Sequence, residues 1–585
     1  MRANIYRTHQ CIEIDKSMLG QQITVCGWVQ NIRDHGGVLF VDLRDSTDVL
    51  QVVSNDDSLF AGLAKESVVR FSGIIRERSE DTINNNLRTG EVELLVSEME
   101  VINPSLHELP FVIQSSKQSN EDVRLKYRYL DMRNDRVKEN IELRSDVLHY
   151  LRNKMYDMGF MEVQTPILTA SSPEGARDFV VPSRSFKGMF YALPQAPQIY
   201  KELLMVGGID KYFQIAPCFR DEDGRADRTL EFYQLDLEMS FVTEDEVLEI
   251  GEDIFYDTFS KFSKKEISSK PFRRISYKES MDRYGTDKPD LRNPLIIEDA
   301  TEILKETTFG PFKKSFIKVI VVEDIGDKPN SWFNEIVDYA TSIGMPGIGY
   351  LTLLQDGTFK GPIDKFLSDE ERDSLIKEFK MKENSVLFFI ANRSLKQAQY
   401  YAGLIRTELG SKLDLIDKNR LEFCIINDFP MFEWDVEKRK WEFCHNPFSL
   451  PKEGIKAFDI EDKNDIIAYQ FDFVCNGCEM ASGAIRNHDL DSLAKGFEIV
   501  GYTRDEVEER FKSIFTAFKY GCPPHGGMAP GIDRILMLIQ DEPNLREVQA
   551  FPPSASGADY MMGSPSVLTP KQLKELGIKI EIGVG

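Results

Sequence analysis

Two runs of alternating apolar and polar residues flank a short charged segment, and this arrangement constrains the fold more than any other feature of the chain. The segment, CFRDEDGRADRTLEFYQLD at residues 218–236, carries 9 formal charges among its 19 residues. Because side chains alternate between the two faces of a strand, the pattern predicts an antiparallel hairpin with one polar face. Arginines, carboxylates and an aromatic ring on one face indicate a site for an anion that carries an aromatic base, rather than an ordinary solvated sheet face. That face would carry Arg220, Glu222, Phe232, Gln234 and Asp236.

Five β-like runs precede the hairpin, within residues 23–102. They are separated by short polar segments and read ITVCGWVQNI, VLFVDLRD, DVLQVVS, SVVRFSGIIRER and EVELLVSEMEVI. Five such strands predict a small closed barrel of the OB type, a common platform for single-stranded nucleic acid.

The length of 585 residues predicts several domains. No apolar run is long enough to cross a bilayer, so we expect a protein that does not enter membranes. The N-terminus lacks the apolar core of a secretion signal, and eight scattered cysteines favour reduced thiols. We therefore expect a cytoplasmic protein. The net charge of -24 argues against indiscriminate binding to nucleic acid. An RNA partner would need a local basic patch, and residues 124–138 form either such a patch or a solvated linker.

Three segments resemble the motifs of the class II aminoacyl-tRNA synthetases. MGFMEVQTPIL resembles motif 1, the element of the dimer interface, FRDE with RADRTLEF resembles motif 2, and GGMAPGIDRILM resembles motif 3. SPEGARDF, LPQAPQIYK and KYRYLDMR are similar to segments of the bacterial-type aspartyl group of that family. The resemblance implies a homodimer that activates L-aspartate with ATP and Mg²⁺ and transfers it to tRNA-Asp.

The implied fold is an α+β multidomain protein with an N-terminal OB-type β-barrel, a catalytic domain built on an antiparallel sheet, and an α/β insertion domain. The expected boundaries are 1–105 for the anticodon-binding barrel, 106–135 for a hinge, 136–287 and 421–560 for the two parts of the catalytic domain, 288–420 for the insertion, and 561–585 for a C-terminal extension.

The resemblance assigns a role to each nucleotide-binding residue. Arg220 would hold the α-phosphate, Arg534 would hold the γ-phosphate, and Phe232 would stack with Arg534 around adenine. Glu222 and Arg228 would complete the ATP site. Arg220, Glu222 and Arg534 are the catalytic residues by the same resemblance.

Asp472 and Glu479 are the magnesium ligands that the resemblance implies, and Glu479 also belongs to its ATP site. Their geometry follows from the sequence: a two-residue turn at Asn476 and Gly477 would bring both carboxylates onto one face of a hairpin. The CxxC around this turn lacks a second pair at similar spacing, which disfavours a zinc site.

The amino-acid pocket implied by the resemblance consists of Glu174, Gln198, Lys201, Asp236, His445 and Arg486. Two cations for one substrate carboxylate would filter strongly against asparagine. Strict alternation from Glu479 would turn Arg486 away from the pocket, so we expect a bulge near Ser482 and Gly483. Asn446 stands where the family commonly has a second histidine.

Positions that match anticodon contacts of the family are Arg33, His35, Phe40, Gln51 and Glu93. His35 stands where members restricted to tRNA-Asp commonly carry Leu. The residue is either a neutral loop substitution or a sign that tRNA-Asn is also charged.

Three alternatives stay open at this point. An asparaginyl enzyme would not need both cations, and a lysyl enzyme would need an acidic pocket at the same positions. A catalytically silent, RNA-binding synthetase paralogue would have no need of the ATP and metal residues.

Overall fold

A computed structural model describes residues 3–35, 38–171 and 175–581. The chain divides into two compact units, Met1–Ser119 and Asn120–Gly585. Each unit has its own buried hydrophobic cluster.

The first unit is a closed barrel of five strands, as the sequence predicts. The strands are β1 (Gln22–His35), β2 (Val38–Arg44), β3 (Val49–Val53), β4 (Val68–Glu77) and β5 (Val92–Asn103). The barrel closes in the order β1-β2-β3-β5-β4. Val25, Val41 and Leu94 are buried in its interior, and the alternation of a strand turns their neighbours toward the opposite face.

The strands of the second unit belong to several sheets. They are β6 (Met161–Glu162), β7 (Val180–Pro182), β8 (Phe190–Ala192), β9 (Lys211–Phe219), β10 (Glu231–Ser240), β11 (Glu266–Ile267), β12 (Arg273–Ser276), β13 (Ile297–Asp299), β14 (Phe316–Val322), β15 (Gly349–Leu353), β16 (Phe359–Lys360), β17 (Val386–Asn392), β18 (Arg420–Leu421), β19 (Phe423–Asn427), β20 (Phe432–Asp435), β21 (Lys440–Phe443), β22 (Gln470–Cys475), β23 (Cys478–Ile485) and β24 (His525–Pro530).

Helices connect these strands. They are α1 (Glu121–Lys126), α2 (Arg128–Asp131), α3 (Asp135–Asp157), α4 (Gln198–Val206), α5 (Glu244–Phe262), α6 (Tyr277–Tyr284), α7 (Asn330–Ser342), α8 (Asp369–Glu378), α9 (Leu395–Lys412), α10 (Leu490–Ile499), α11 (Arg504–Arg510), α12 (Lys512–Phe518), α13 (Ile532–Gln540) and α14 (Pro570–Leu576). Within the described residues, none of the helices combines the length and apolar character that a membrane span requires.

The main sheet has eight strands in the order β12-β19-β22-β23-β24-β10-β9-β6. Its six inner strands run antiparallel to one another, and only the edge strands β12 and β6 pair in parallel. The predicted antiparallel sheet is therefore confirmed for the part that carries the site. Val147 of α3 and Phe255 of α5 belong to the same buried cluster as Phe473 of β22. The helices thus cover the apolar face, which leaves the opposite face for polar residues.

A separate five-stranded sheet, in the order β13-β14-β17-β15-β16, lies within the segment predicted as an α/β insertion. One buried cluster includes Ile336 of α7 and Ile405 of α9, and the other includes Leu375 of α8. Alternate residues of β17, such as Phe388 and Phe389, enter the two clusters. Helices therefore cover both faces of this sheet. The exact domain boundaries stay predictions.

The charged hairpin is present, formed by β9 and β10. Cys218 lies opposite Phe232, and Gln214 lies opposite Asp236. The first strand ends at Phe219 and the second begins at Glu231, so Arg220 and Glu222 lie in the connecting loop rather than on the strand face predicted for them.

Candidate functional site

A cavity of about 840 Å³ opens above the polar face of the main sheet. Its walls come from the strands β10, β22 and β23, the loop between β9 and β10, and the start of α13. The structure brings the following predicted site residues together around it: Gln198, Lys201, Arg220, Glu222, Arg228, Phe232, Asp236, His445, Asp472, Glu479, Arg486 and Arg534. Glu174, the remaining predicted pocket residue, lies outside the described residues.

One end of the cavity combines an aromatic ring with cations. The guanidinium carbon of Arg220 lies 5.0 Å from the ring centroid of Phe232, within the range of a cation–π contact. In the connecting loop, Nη1 of Arg228 donates to Oε2 of Glu222 at 3.2 Å. Nη1 of Arg534 donates to the carbonyl oxygen of Glu479 at 2.7 Å. The arginine that lies over Phe232 in this structure is therefore Arg220, while the arrangement that the resemblance implies, with Phe232 and Arg534 stacked around adenine, stays a prediction.

The turn between β22 and β23 has the predicted geometry. Asn476 and Gly477 both have positive φ, at 53° and 80°, as a two-residue hairpin turn of this kind requires. Val474 lies opposite Glu479, and Asp472 lies opposite Ser482, so both carboxylates lie on one face.

The expected bulge exists, but its predicted position is wrong. The register shifts between Phe473 and Val474, so that Met480 is the extra residue rather than Ser482 or Gly483. This inserted residue restores the alternation that places Arg486 on the cavity face.

Asp472 offers an unsatisfied oxygen inside the cavity wall. Its side chain is 2% exposed, Oδ1 accepts from the hydroxyl of Ser482 at 2.6 Å, and Oδ2 has no hydrogen-bond partner. Burial, together with repulsion from Glu479, raises the pKa of Asp472 to about 7. A buried carboxylate oxygen without a partner, beside a second carboxylate, fits a hard divalent cation such as Mg²⁺.

Glu479 is held between two cations. Nζ of Lys288 lies 2.8 Å from Oε2, and Nη1 of Arg534 lies 3.4 Å from Oε1. Burial would raise the pKa of Glu479, but these two cations lower it to about 2. Sequence reasoning missed Lys288, which lies about 190 residues before Glu479 along the chain, and no local pattern marks it.

Another part of the cavity contains a buried cluster of four charges. Nζ of Lys201 lies 2.8 Å from Asp236 and 3.2 Å from Glu238, and Nε of Arg486 lies 2.8 Å from Glu238. Burial opposes the ionised form of Glu238, but Arg486 and Lys201 hold its pKa at about 2. Both cations line the cavity as expected, and their role toward the substrate stays a prediction, but the sequence analysis misses their shared partner. Glu238 could have been found from the alternation of β10, which puts it on the same face as Asp236.

A hydrogen-bonded layer supports this cluster. Nε2 of Gln198 donates to Glu202 at 2.6 Å, and Glu202 lies 3.4 Å from the ring of His525. His525 is fully buried in this layer. Asn446 stands where the family commonly has a second histidine. Its side chain donates to Gln198 at 3.4 Å and accepts from the backbone N–H of Phe448, so it still takes part in this hydrogen-bonded layer.

His445 lies at the exposed rim of the cavity, with its ring edge-on to Phe429 at 4.6 Å. Ligand atoms of Asp287, His445 and Asp472 lie within 4.8 Å of one another. This is a second arrangement, among the described residues, that could hold a cation close to Asp472.

Three of the predicted anticodon residues, Arg33, Gln51 and Glu93, are joined by hydrogen bonds on the barrel. Arg33 pairs with Phe40 across β1 and β2, and its guanidinium donates to Asp42 at 2.6 Å and to Gln51 at 3.2 Å. Gln51 in turn donates to Glu93 at 2.6 Å. The chain of hydrogen bonds fixes the amide orientation of Gln51. The backbone of His35 ends β1, but its side chain lies outside the described residues.

Comparisons with known proteins agree with this geometry. Residues 120–555 match the family described as "tRNA synthetases class II (D, K and N)", and residues 23–102 match "OB-fold nucleic acid binding domain". The chain is 49% identical over 588 residues to "Aspartate--tRNA(Asp/Asn) ligase" of Ehrlichia ruminantium (strain Welgevonden), with 99% of each chain covered. It is 49% identical over 601 residues to the protein of the same name in Wolbachia pipientis wMel, with 99% of this chain and 100% of the other covered.

Two solved structures support the fold. Asparaginyl-tRNA synthetase from Pyrococcus horikoshii, complexed with asparaginyl-adenylate, is 18% identical with a TM-score of 0.56, and the match covers 97% of this chain and 100% of the other. Aspartyl tRNA synthetase from Entamoeba histolytica is 19% identical with a TM-score of 0.54, and the match covers 92% and 90%.

Proposed function

The chain belongs to the class II tRNA synthetases (D, K and N), and we propose that it activates L-aspartate with ATP and transfers the aspartyl group to the 3' end of tRNA-Asp. It is an aminoacyl-tRNA synthetase, hence a ligase that uses ATP as a substrate. The observation that carries the proposal is that one cavity joins the buried cations Lys201 and Arg486 to the nucleotide side chains Arg220 and Phe232.

The charge of the pocket favours aspartate over the other substrates of the family. A lysyl enzyme would need acidic groups where Lys201 and Arg486 stand, and an asparaginyl enzyme would not use both cations. Glu238 forms ion pairs with both cations, so their positive charges already have a negative partner before the substrate binds. The side-chain carboxylate of aspartate would bind to these cations, while Asp236 and Gln198 would accept hydrogen bonds from its ammonium group.

The first step needs positioning more than proton transfer. The α-carboxylate of aspartate is already ionised at neutral pH, so it can attack the α-phosphate of ATP without a general base, which forms aspartyl-adenylate and breaks the bond to the departing pyrophosphate. Arg220 would hold the α-phosphate and Arg534 the γ-phosphate, and both would neutralise charge that develops on the phosphates. Phe232 would support the adenine ring, with Glu222 and Arg228 completing the site.

Asp472 and Glu479 would hold a magnesium ion, as the partnerless oxygen of Asp472 supports. When bound, the ion would neutralise phosphate charge during adenylation. The task of the chain's own residues is to hold both carboxylates on one face of the β22–β23 hairpin, where Ser482 orients Asp472.

The barrel would bind the anticodon, with Phe40 as a stacking surface and Arg33, Gln51 and Glu93 as polar contacts. We further propose that tRNA-Asn is also charged, since the relatives with 49% identity carry the name "Aspartate--tRNA(Asp/Asn) ligase". A separate amidotransferase would then have to convert the aspartyl-tRNA-Asn.

We propose a cytoplasmic homodimer. The segment that resembles motif 1 supports the dimer: it exposes Met161, Ile167 and Leu168 at about half of their surface beside the edge strand β6. Sedimentation analysis would test this, and a monomer at micromolar concentration would contradict it.

Exchange of labelled pyrophosphate into ATP tests the activity directly. We expect exchange with aspartate and only background with asparagine or lysine. Exchange that prefers asparagine or lysine would indicate one of the related enzymes. Background with every amino acid would indicate the catalytically silent paralogue.

A further inference from the structure

Lys288 lies at the metal and phosphate end of the cavity, yet neither the resemblance nor the proposed mechanism gives it a role. It belongs to the start of the segment predicted as the insertion, not to any of the three motifs. Its ammonium lies 2.8 Å from Oε2 of Glu479, while Arg534 approaches Oε1 of the same carboxylate. Lys288 therefore neutralises a residue that is expected to bind metal.

A divalent cation on Glu479 and the ammonium of Lys288 compete for the same carboxylate. The side chain of Lys288 is 34% exposed and lines the cavity, so its ammonium has room to move. Four methylene groups carry that ammonium, which lets it reach a neighbouring acceptor without a change in the backbone. The acceptors that arrive together with Mg²⁺ in such sites are phosphate oxygens.

The backbone around Lys288 is held firmly from the insertion side. Arg406 of α9 is buried and donates to three backbone carbonyls, at 3.0 Å to Asp290, 2.7 Å to Asn293 and 2.6 Å to Leu295. Just before Lys288, Gly285 and Gly403 touch so closely that a Cβ on Gly403 would lie 2.6 Å from the carbonyl oxygen of Gly285. Helix α9 therefore determines where Lys288 enters the cavity.

The backbone at Lys288 also lies close to the hairpin that carries the proposed metal ligands. A Cβ on Gly477, in the β22–β23 turn, would lie 3.8 Å from the carbonyl oxygen of Lys288. A side chain at position 477 would therefore touch the backbone of Lys288, and the ammonium of Lys288 reaches Glu479 of the same hairpin at 2.8 Å.

We infer that Lys288 is a further phosphate-binding residue of the adenylation site. It neutralises Glu479 when no nucleotide is bound, and it moves its contact to the β- or γ-phosphate when ATP and the metal bind. Arg406 is a positioning residue, because it acts only through the backbone that follows Lys288. This inference rests on the proposed function, because the proposed function identifies the bound nucleotide as ATP.

Two binding measurements on Lys288→Met test this, with Lys288→Arg as the conservative variant and Lys377→Met, an exposed lysine of α8, as the matched control. Mn²⁺ binding to the nucleotide-free protein, followed by electron paramagnetic resonance, should become tighter because the competing ammonium is gone. Calorimetric binding of Mg·ATP without aspartate should weaken about 10- to 100-fold, as expected for the loss of one charge-assisted hydrogen bond. Lys288→Arg should bind Mg·ATP nearly as tightly as the wild type, and Lys377→Met should change neither measurement.

Opposite changes in the two affinities would support the inference, since a merely structural residue would weaken both. Weakening of both, no change in either, or a change in only one would overturn it. Failure of the proposed function can be distinguished from these outcomes. In that case the wild type itself gives no aspartate-dependent pyrophosphate exchange, whereas the Mn²⁺ and Mg·ATP titrations still report on Lys288.

Discussion

The guanidinium of Arg486 makes a two-pronged ion pair with Glu238, with 2.8 Å from Nε to Oε1 and 3.1 Å from Nη2 to Oε2. Both side chains are buried, and Lys201 at 3.2 Å is the other cation that contacts Glu238 among the ion pairs of the described residues. Arg486 therefore supports the fold in addition to its proposed contact with the substrate, which the sequence alone would not suggest.

Arg486→Leu should reduce aspartate-dependent pyrophosphate exchange to background and also lower the free energy of unfolding by about 3–5 kcal/mol. The second effect arises because Glu238 loses one of its two buried cations. Urea unfolding and the exchange assay measure the two effects separately. In the double variant Arg486→Leu/Glu238→Leu, most of the stability should return while the exchange stays at background. Normal exchange in the single variant would show that Arg486 is not part of the pocket.

Asp472→Asn and Glu479→Gln should each reduce magnesium-dependent exchange by at least about 100-fold, because each removes a charged ligand from the proposed metal site. Binding of tRNA, measured by filter retention, should change little, since the barrel provides separate contacts. Equal losses in both assays would mean that the two carboxylates serve the structure instead.

Local patterns predicted the parts of the fold and site that depend on neighbours in sequence. The alternation around residues 218–236 gave the hairpin, and the Asn476–Gly477 pair gave the turn that aligns Asp472 with Glu479. A bulge was expected because strict alternation would turn Arg486 away from the cavity, and a bulge is present. Its expected position, near Ser482, lies two residues beyond the observed one at Met480. Its position at Met480 depends on how β23 pairs with both β22 and β24, which periodicity does not reveal.

Contacts between distant segments were not predictable in this way. Lys288 reaches Glu479 from another part of the chain, and Glu202 meets His525 across more than 300 residues. Each is an ordinary charged residue in its local sequence. Lys288 joins the site because its segment packs against the main sheet. Glu202 and His525 join it because α4 packs against β24.

His525 is predicted to stabilise the fold in a pH-dependent manner. Burial alone would lower the pKa of His525. The hydrogen bonds to Cys522 and Glu202 and the negative charges of Glu202 and Glu238 outweigh burial and raise this pKa from 6.5 to about 10. The charged form is favoured by folding, so this contribution is fully present below pH 6.5 and is lost as the pH rises through about 10.

The stability difference between the wild type and His525→Gln should therefore shrink by a few kcal/mol, on the order of 1.4 kcal/mol per unit of pKa shift, between about pH 6 and pH 10. Urea unfolding across that range measures it. His149→Gln, at an exposed histidine, is the control and should show no such trend. A difference that stays constant with pH would contradict the charged state of His525.

The breadth of tRNA recognition can be tested at His35, the last residue of β1. The anticodons for Asp and Asn differ only at the third base, C or U, and an imidazole can donate to or accept from either base, whereas leucine offers only shape. We expect the wild type to charge transcripts of both tRNAs, and His35→Leu to lose tRNA-Asn by about 10-fold or more relative to tRNA-Asp. Phe40→Ala is the matched control: it removes a stacking surface that does not distinguish bases, so both tRNAs should weaken together. If the wild type fails to charge tRNA-Asn, the breadth itself is refuted, whereas tRNA-Asn charging that survives His35→Leu would place the determinant elsewhere on the barrel.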